Sequence, residues 1–129
     1  MVLVDSSVWI DYLGIQSSKF HQKLEALIQP HNQAVITGVI FQEVLQGIRN
    51  SHSFQLTQKL LGRLPILIPN IETHLQAAGI FKMLSSKGKT SSTIDVLISA
   101  LAIQNGIPLF TLDAGFHVIT ENTNLKLFS

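Results

Sequence analysis

The sequence predicts an α/β fold with a central, mainly parallel sheet held between layers of helices. Two observations carry this expectation. Short β-branched runs recur at Val2-Leu3-Val4, Ala34–Thr37, Pro65–Ile68 and Pro108–Leu112, and longer segments with helical spacing separate them. The chain also has 129 residues, 46% of them apolar and only 13% charged, which is enough to build a real core in one domain spanning residues 1–129.

The elements follow in order. Val2-Leu3-Val4 opens the chain as a strand, and Ser6 to Leu13 is helical. A second helix over Ser17 to Gln29 stops before Pro30. After the Ala34–Thr37 strand, Val39 to Arg49 and Ser51 to Gly62 form a helical pair, joined where Asn50-Ser51 supplies capping groups. Ile71 to Ser86 is a further helix, ended by Lys87-Gly88-Lys89. In Thr93 to Asn105 the apolar residues Ile94, Val96, Leu97, Ile98, Ala100, Leu101, Ala102 and Ile103 surround the axis, so this helix is expected to be buried on most sides. Asn105-Gly106 followed by Pro108 terminates it. Leu125-Lys126-Leu127 could add an edge strand, where a lysine is at home.

Composition excludes several classes. High apolar content with a net charge of +1 argues against disorder and against a supercharged nucleic-acid tail. The absence of cysteine removes disulfides, thiolate metal sites and thiol nucleophiles. No apolar run approaches the ~20 residues of a membrane span. Met1 leads straight into a strand with no basic leader, so a cytoplasmic protein is expected.

With only eight acidic residues in the chain, their positions carry weight. Asp5 follows the first strand and Asp113 the fourth. In open α/β sheets ligands bind beyond the carboxyl ends of the strands, although each aspartate is equally well placed to cap the helix that follows it. Asp95 lies in the first turn of the most apolar helix, with Ser99 one turn on along the same face. The helix dipole favours it there, but a carboxylate on a largely buried helix is costly without a facing cation or donors. Glu43 flanks the apolar stripe of Ile40, Phe41, Val44, Leu45 and Ile48, away from Gln42 and Gln46. Four carboxylates from four elements suggest one cluster, and a hard divalent cation such as Mg²⁺ would relieve their repulsion. His21, His31, His52, His74 and His117 show no paired ligand spacing, so zinc is not indicated.

These residues resemble a known family. Val2-Leu3-Val4-Asp5-Ser6-Ser7-Val8-Trp9-Ile10-Asp11 resembles the opening of PIN-domain nucleases, an apolar strand running into D-x-S. Glu43-Val44-Leu45-Gln46-Gly47-Ile48-Arg49 is similar to the second motif, E-x-x-x-G-x-R. Thr93 to Ala102 and Leu109-Phe110-Thr111-Leu112-Asp113-Ala114-Gly115-Phe116 are similar to the third and fourth. Order and spacing match over essentially the whole chain, and the size resembles the VapC toxins of toxin–antitoxin pairs.

The resemblance implies a PIN-like three-layer α/β/α sandwich and Mg²⁺-dependent hydrolysis of RNA, with Mn²⁺ able to substitute. It makes Asp5, Glu43, Asp95 and Asp113 the catalytic carboxylates, with Asp5, Asp95 and Asp113 as metal ligands. By position alone, Ser7 and Thr111 each lie two residues from a candidate ligand and could steady a carboxylate or a metal-bound water, or serve as ordinary caps. Arg49, Lys87 and Lys89 could contact an RNA backbone, the lysines alternatively being a solvated loop. Gly115 stands where many relatives carry a second acidic residue (T-x-D-x-D-F), which puts an accessory metal site in question. The resemblance further implies a VapB-like antitoxin partner. It also implies a homodimer formed around Phe54, Leu56, Leu60 and Leu61, with Ile48 close by.

Other readings are weaker. Gly88-Lys89-Thr90 resembles the end of a phosphate-binding loop, but Met83 occupies the first glycine position and a helix precedes it. A dehalogenase-like phosphatase would need an aspartate where Ser7 stands. Trp9 and Phe116 are expected to pack rather than stack on bases. An RNA-processing nuclease without a toxin role, or a catalytically silent PIN binding module, are the competing functions. The complete acidic quartet disfavours the silent one.

Overall fold

The computed structural model describes residues 1–14, 19–30 and 32–129. Strands β1 (Val2–Val4), β2 (Ala34–Thr37), β3 (Ile66–Leu67) and β4 (Leu109–Phe110) form one sheet in the order β3-β2-β1-β4. Every pairing is parallel: Val2 is in register with Ala34, Leu3 with Leu109, and Ile36 with Ile66. Every residue of β1, β2 and β4 is buried, as strands covered by helices on both faces must be. Edge strand β3 leaves Ile66 exposed. The α/β fold with a parallel sheet is thus observed; β1 and β2 have the bounds of their apolar runs, whereas β3 and β4 are shorter than theirs.

Helices α1 (Ser6–Tyr12), α2 (Lys19–Ile28), α3 (Gly38–Gln46), α4 (Ser51–Leu61), α5 (Ile71–Ser86), α6 (Thr93–Asn105) and α7 (His117–Thr120) complete the fold, with a 3₁₀ turn over Ala114–Phe116. The expected start of α2 at Ser17, like His31, lies outside the described residues. Helices α5 and α6 have the expected bounds, for visible reasons. The Asn70 side chain accepts the Thr73 N–H while the Thr73 hydroxyl accepts the Asn70 N–H, a reciprocal cap. Ser92 caps α6 by accepting the Asp95 N–H, and Gly106 ends it in the left-handed region at φ 64°.

Helix α3 stops at Gln46 rather than at Arg49, because Gly47 is its C-cap and the chain turns into the link with α4. Arg49 therefore stands on the link. Residues 125–127 form no strand. They make one parallel bridge, Leu109 to Leu127, in which Leu109 donates to Lys126 O and accepts from Phe128 N. In α4, Leu61 is fully buried and Leu60 packs against the core, so of the expected subunit-contact set Phe54 and Leu56 face outward.

The core joins both helical layers to the sheet. Trp9 and Phe116 are wholly buried, as expected, and the Trp9 indole N–H is satisfied by Val4 O at 3.2 Å. In α6, Val96, Ile98, Ala100, Leu101 and Ala102 are buried, while Ile94 is partly exposed. Each fully buried Leu or Ile contributes about 1.5–3 kcal/mol, more than the helix-dipole interaction of Asp95 can supply. Packing against the core, rather than local charge, therefore fixes where α6 lies.

Candidate active site

Strand order locates the site. From β1 the chain crosses to β2 and β3 on one side, then returns to place β4 on the other side of β1. The order reverses between β1 and β4, and the crevice beyond their carboxyl ends is where such sheets bind ligands. Asp5 leaves β1 there, and Asp113 follows β4 there. Because parallel strands carry their carboxyl ends on one edge, residues from opposite ends of the chain become neighbours.

Asp5 occupies the N-cap position of α1, yet its side chain makes no cap hydrogen bond. Its Oδ2 instead accepts from the Ser7 hydroxyl at 2.9 Å and the Thr111 hydroxyl at 2.8 Å. The Thr111 oxygen accepts the Asp113 N–H at 3.0 Å, and the Ser7 oxygen accepts the Leu112 N–H at 3.0 Å. Each hydroxyl donates once and accepts once, so the network locks the segment after β4 onto the carboxylate after β1. Asp5 is buried, and two charge-assisted donors make that tolerable. Asp113, by contrast, does cap: its Oδ1 accepts the Gly115 N–H at 2.8 Å while the residue stays exposed.

Helices bring the other two acids. Glu43 on α3 is half-buried, while Gln42 and Gln46 are exposed, as the helical projection required. The Ser6 hydroxyl donates to Glu43 Oε1 at 3.4 Å. Burial raises the Glu43 pKa above the usual carboxylate range, the Asp5 charge raises it further, and Ser6 opposes both. Asp95 is pushed up to about 6, first by burial, then by the charges of Asp113 and Asp5, against the Ser92 hydrogen bond, with Glu43 adding a little. The four carboxylates thus feel one another across the crevice.

Among the described residues, no lysine or arginine forms an ion pair with any of these four acids. Arg49 is exposed, and Lys87 is occupied with Asn122 Oδ1 at 2.9 Å. Among the described residues the histidines take no part: His21 packs on Tyr12 and contacts Asp11, and His52, His74 and His117 are exposed. Among the described residues, no three acidic or imidazole side chains make a ready cage for an ion. The acids nonetheless offer all-oxygen donors and negative charge that no described lysine or arginine pairs, which is the chemistry a hard cation such as Mg²⁺ takes.

Three further contributors were not singled out from the sequence: Ser6 as donor to Glu43, Ser92 as cap beneath Asp95, and the Gly115 N–H on Asp113. The small polar residues beside each acid were the available signal, since Ser in such positions favours local side-chain to backbone bonding.

The chain is similar over its whole length to proteins of one family. Residues 2–122 match the PIN domain family. The chain is 31% identical over 134 residues to a VapC ribonuclease of Mycobacterium bovis, covering 100% of this chain and 98% of that protein. The figures are the same for ribonuclease VapC11 of Mycobacterium tuberculosis. Among solved structures, it is similar to VapBC2 from Rickettsia felis bound to a promoter DNA fragment, with a TM-score of 0.79 at 18% identity, covering 98% of this chain and 96% of that one.

Proposed function

The chain belongs to the PIN-domain family, and on that premise we propose that it is a VapC-type toxin. It is an endoribonuclease that hydrolyses RNA phosphodiester bonds, and its partner is a cognate VapB-like antitoxin. One observation carries the reading furthest: Asp5, Glu43, Asp95 and Asp113 face one another at the sheet's switch point, with no protein cation paired to them among the described residues. No described helix is long and apolar enough to cross a membrane, and a cytoplasmic location is part of the proposal.

Asp5, Asp95 and Asp113 would hold Mg²⁺, or Mn²⁺ in its place. Such an ion supplies Lewis-acid stabilisation of charge on the scissile phosphate and makes attacking water more acidic. The chain's own groups set the stage for it. Ser7 and Thr111 fix the Asp5 carboxylate, the Gly115 N–H fixes Asp113, and Ser6 steadies Glu43. Glu43, with its raised proton affinity, is the group suited to take up or release a proton during hydrolysis. Arg49, exposed on the link after α3, would contact the RNA backbone. Phe54 and Leu56, exposed on α4, support a homodimer through that helix.

The test uses Asp5→Asn and Asp95→Asn, each close to isosteric. Both purified variants should fold and lose RNA cleavage in Mg²⁺. Cleavage at the wild-type rate by either would remove that residue from the site. Binding to the folded cluster adds about 2.7 kcal/mol of stability at ~100 times Kd. Millimolar Mn²⁺ should therefore raise the Tm of the wild type more than that of Asp95→Asn, whereas equal shifts would put the ion elsewhere.

A further inference from the structure

Four clustered carboxylates repel a polyanion, and among the described residues no lysine or arginine pairs with them. A net charge of +1 supplies no general attraction for RNA. Cations beside the crevice must therefore draw the strand in, and they act locally, because exposed charges are screened within ~8 Å at physiological ionic strength. The link from Lys87 to Ser92, between α5 and α6, lies where such a cation is needed. Only three residues join α6 to β4, so the helix runs back against the strand. Its first turn, with Asp95, thereby stands at the carboxyl edge of the sheet, where Asp5 and Asp113 leave their strands.

The link is held at both ends. Ser92 Oγ accepts the Asp95 N–H at 3.0 Å, and the Lys87 ammonium donates to Asn122 Oδ1 at 2.9 Å, on the segment that follows Asp113. The backbone between is fixed as well. Gly88 takes φ 70°, a left-handed value that favours glycine, and the Lys89 N–H then donates to Leu84 O at 2.9 Å, closing α5. Two side chains stay unengaged. Lys89 and Thr90 are exposed, and among the described residues neither the ammonium nor the hydroxyl has a partner. A free cation and a free hydroxyl on a fixed backbone are what a nucleic-acid phosphate takes. Gly88-Lys89-Thr90 lacks the further glycine and the preceding strand of a nucleotide-binding loop, so a single backbone phosphate is the ligand it fits.

We propose that Lys89, helped by the Thr90 hydroxyl, binds a backbone phosphate of the RNA on the Asp95 side of the crevice, while Lys87 holds the link in place. This rests on the nuclease reading above. Arg49 follows the helix that carries Glu43, and Lys89 precedes the helix that carries Asp95, so a strand touching both passes the acids.

Steady-state cleavage of a short single-stranded RNA in Mg²⁺, over a range of NaCl, tests this with wild type, Lys89→Ala, Lys89→Arg and Lys59→Ala. Lys59 is exposed on α4, which carries none of the four acids. Lys89→Ala should raise KM about fivefold with kcat little changed, and the slope of log KM against log salt should fall by about 0.7, the value for one phosphate contact on a single strand. Lys89→Arg should keep most of the affinity, and Lys59→Ala should match wild type in both measures. An unchanged KM and slope in Lys89→Ala would overturn the proposal and leave this lysine to an acidic group of a protein partner or to solvent. An equal loss in Lys59→Ala would overturn it by making the effect one of net charge. A fall in kcat without a rise in KM would overturn it by placing the effect in the geometry of the acids. Wild type that cleaves no RNA would remove the nuclease reading, and this inference with it.

Discussion

Thr111 and Asp5 stand 106 positions apart, yet the Thr111 hydroxyl donates to Asp5 Oδ2 at 2.8 Å while accepting the Asp113 N–H at 3.0 Å. One small side chain thereby ties the carboxylate beyond β1 to the backbone that carries the carboxylate beyond β4. In Thr111→Val, Asp5 loses one of two hydroxyl donors and the Asp113 N–H loses its acceptor. We expect a loss of about 1.5 kcal/mol in urea unfolding, the lower end for a hydrogen bond to a charged group, together with slower RNA cleavage. Thr111→Ser should keep both properties. A valine variant as stable and as active as wild type would show the link to be idle.

Stability of the metal-free protein should depend on pH through Asp95. Its pKa rises from 3.8 to about 6 on folding, so between these values the folded protein holds a proton that the unfolded chain has released. That contribution is complete below the unfolded value and is lost as pH rises through about 6, so Tm in chelator should fall across this window. Glu43, also raised, acts in the same direction. Asp95→Asn should flatten the fall and melt above wild type near neutral pH. A wild-type Tm that climbs over the same interval would contradict the clustering of the acids.

Ser99 is fully buried in α6, and among the described residues its Oγ has no hydrogen-bond partner. A hydroxyl stripped of water without a replacement bond is a net cost. Ser99→Ala should therefore stabilise the protein by about 1 kcal/mol in urea unfolding and leave cleavage unchanged. Destabilisation would mean that the hydroxyl is satisfied in solution, by water for example.

Light scattering at tens of micromolar should report a dimer if an interface of ordinary size, ~1,600 Å², forms through α4. Leu56, 55% exposed, is the position to challenge; Leu60, packed against the core, would confound folding with assembly. Leu56→Glu should yield monomer. Monomeric wild type would end the dimer proposal without touching the nuclease assignment.

Where two independent signals coincided, the fold was legible. Helices α5 and α6 combine a long apolar pattern with a Lys-Gly or Asn-Gly stop, and their bounds are those expected. Where a single apolar pattern stood alone it overran: α3 was extended through Gly47 to Arg49, and the β4 run past Phe110. The 3₁₀ turn and α7, which follow Asp113, are too short for periodicity to register. The acids were legible as a set because they are few. Their individual settings were not: whether Asp5 caps α1 or turns to Ser7 and Thr111 depends on β4 lying beside β1, which is a fact of topology rather than of local sequence.

That neighbouring of β1 and β4 has a consequence for a chain still being made. Domains fold as units while synthesis proceeds from the N-terminus. A nascent chain carries Asp5, Glu43 and Asp95 well before it carries Leu109 to Asp113, and until then one side of β1 is unpaired and Asp5 lacks its Thr111 donor. The acidic cluster can therefore close only after residues 109–113 have emerged. On the proposed assignment, a product of translation interrupted before Leu109 lacks Asp113 and the Thr111 donor, and should not cleave RNA.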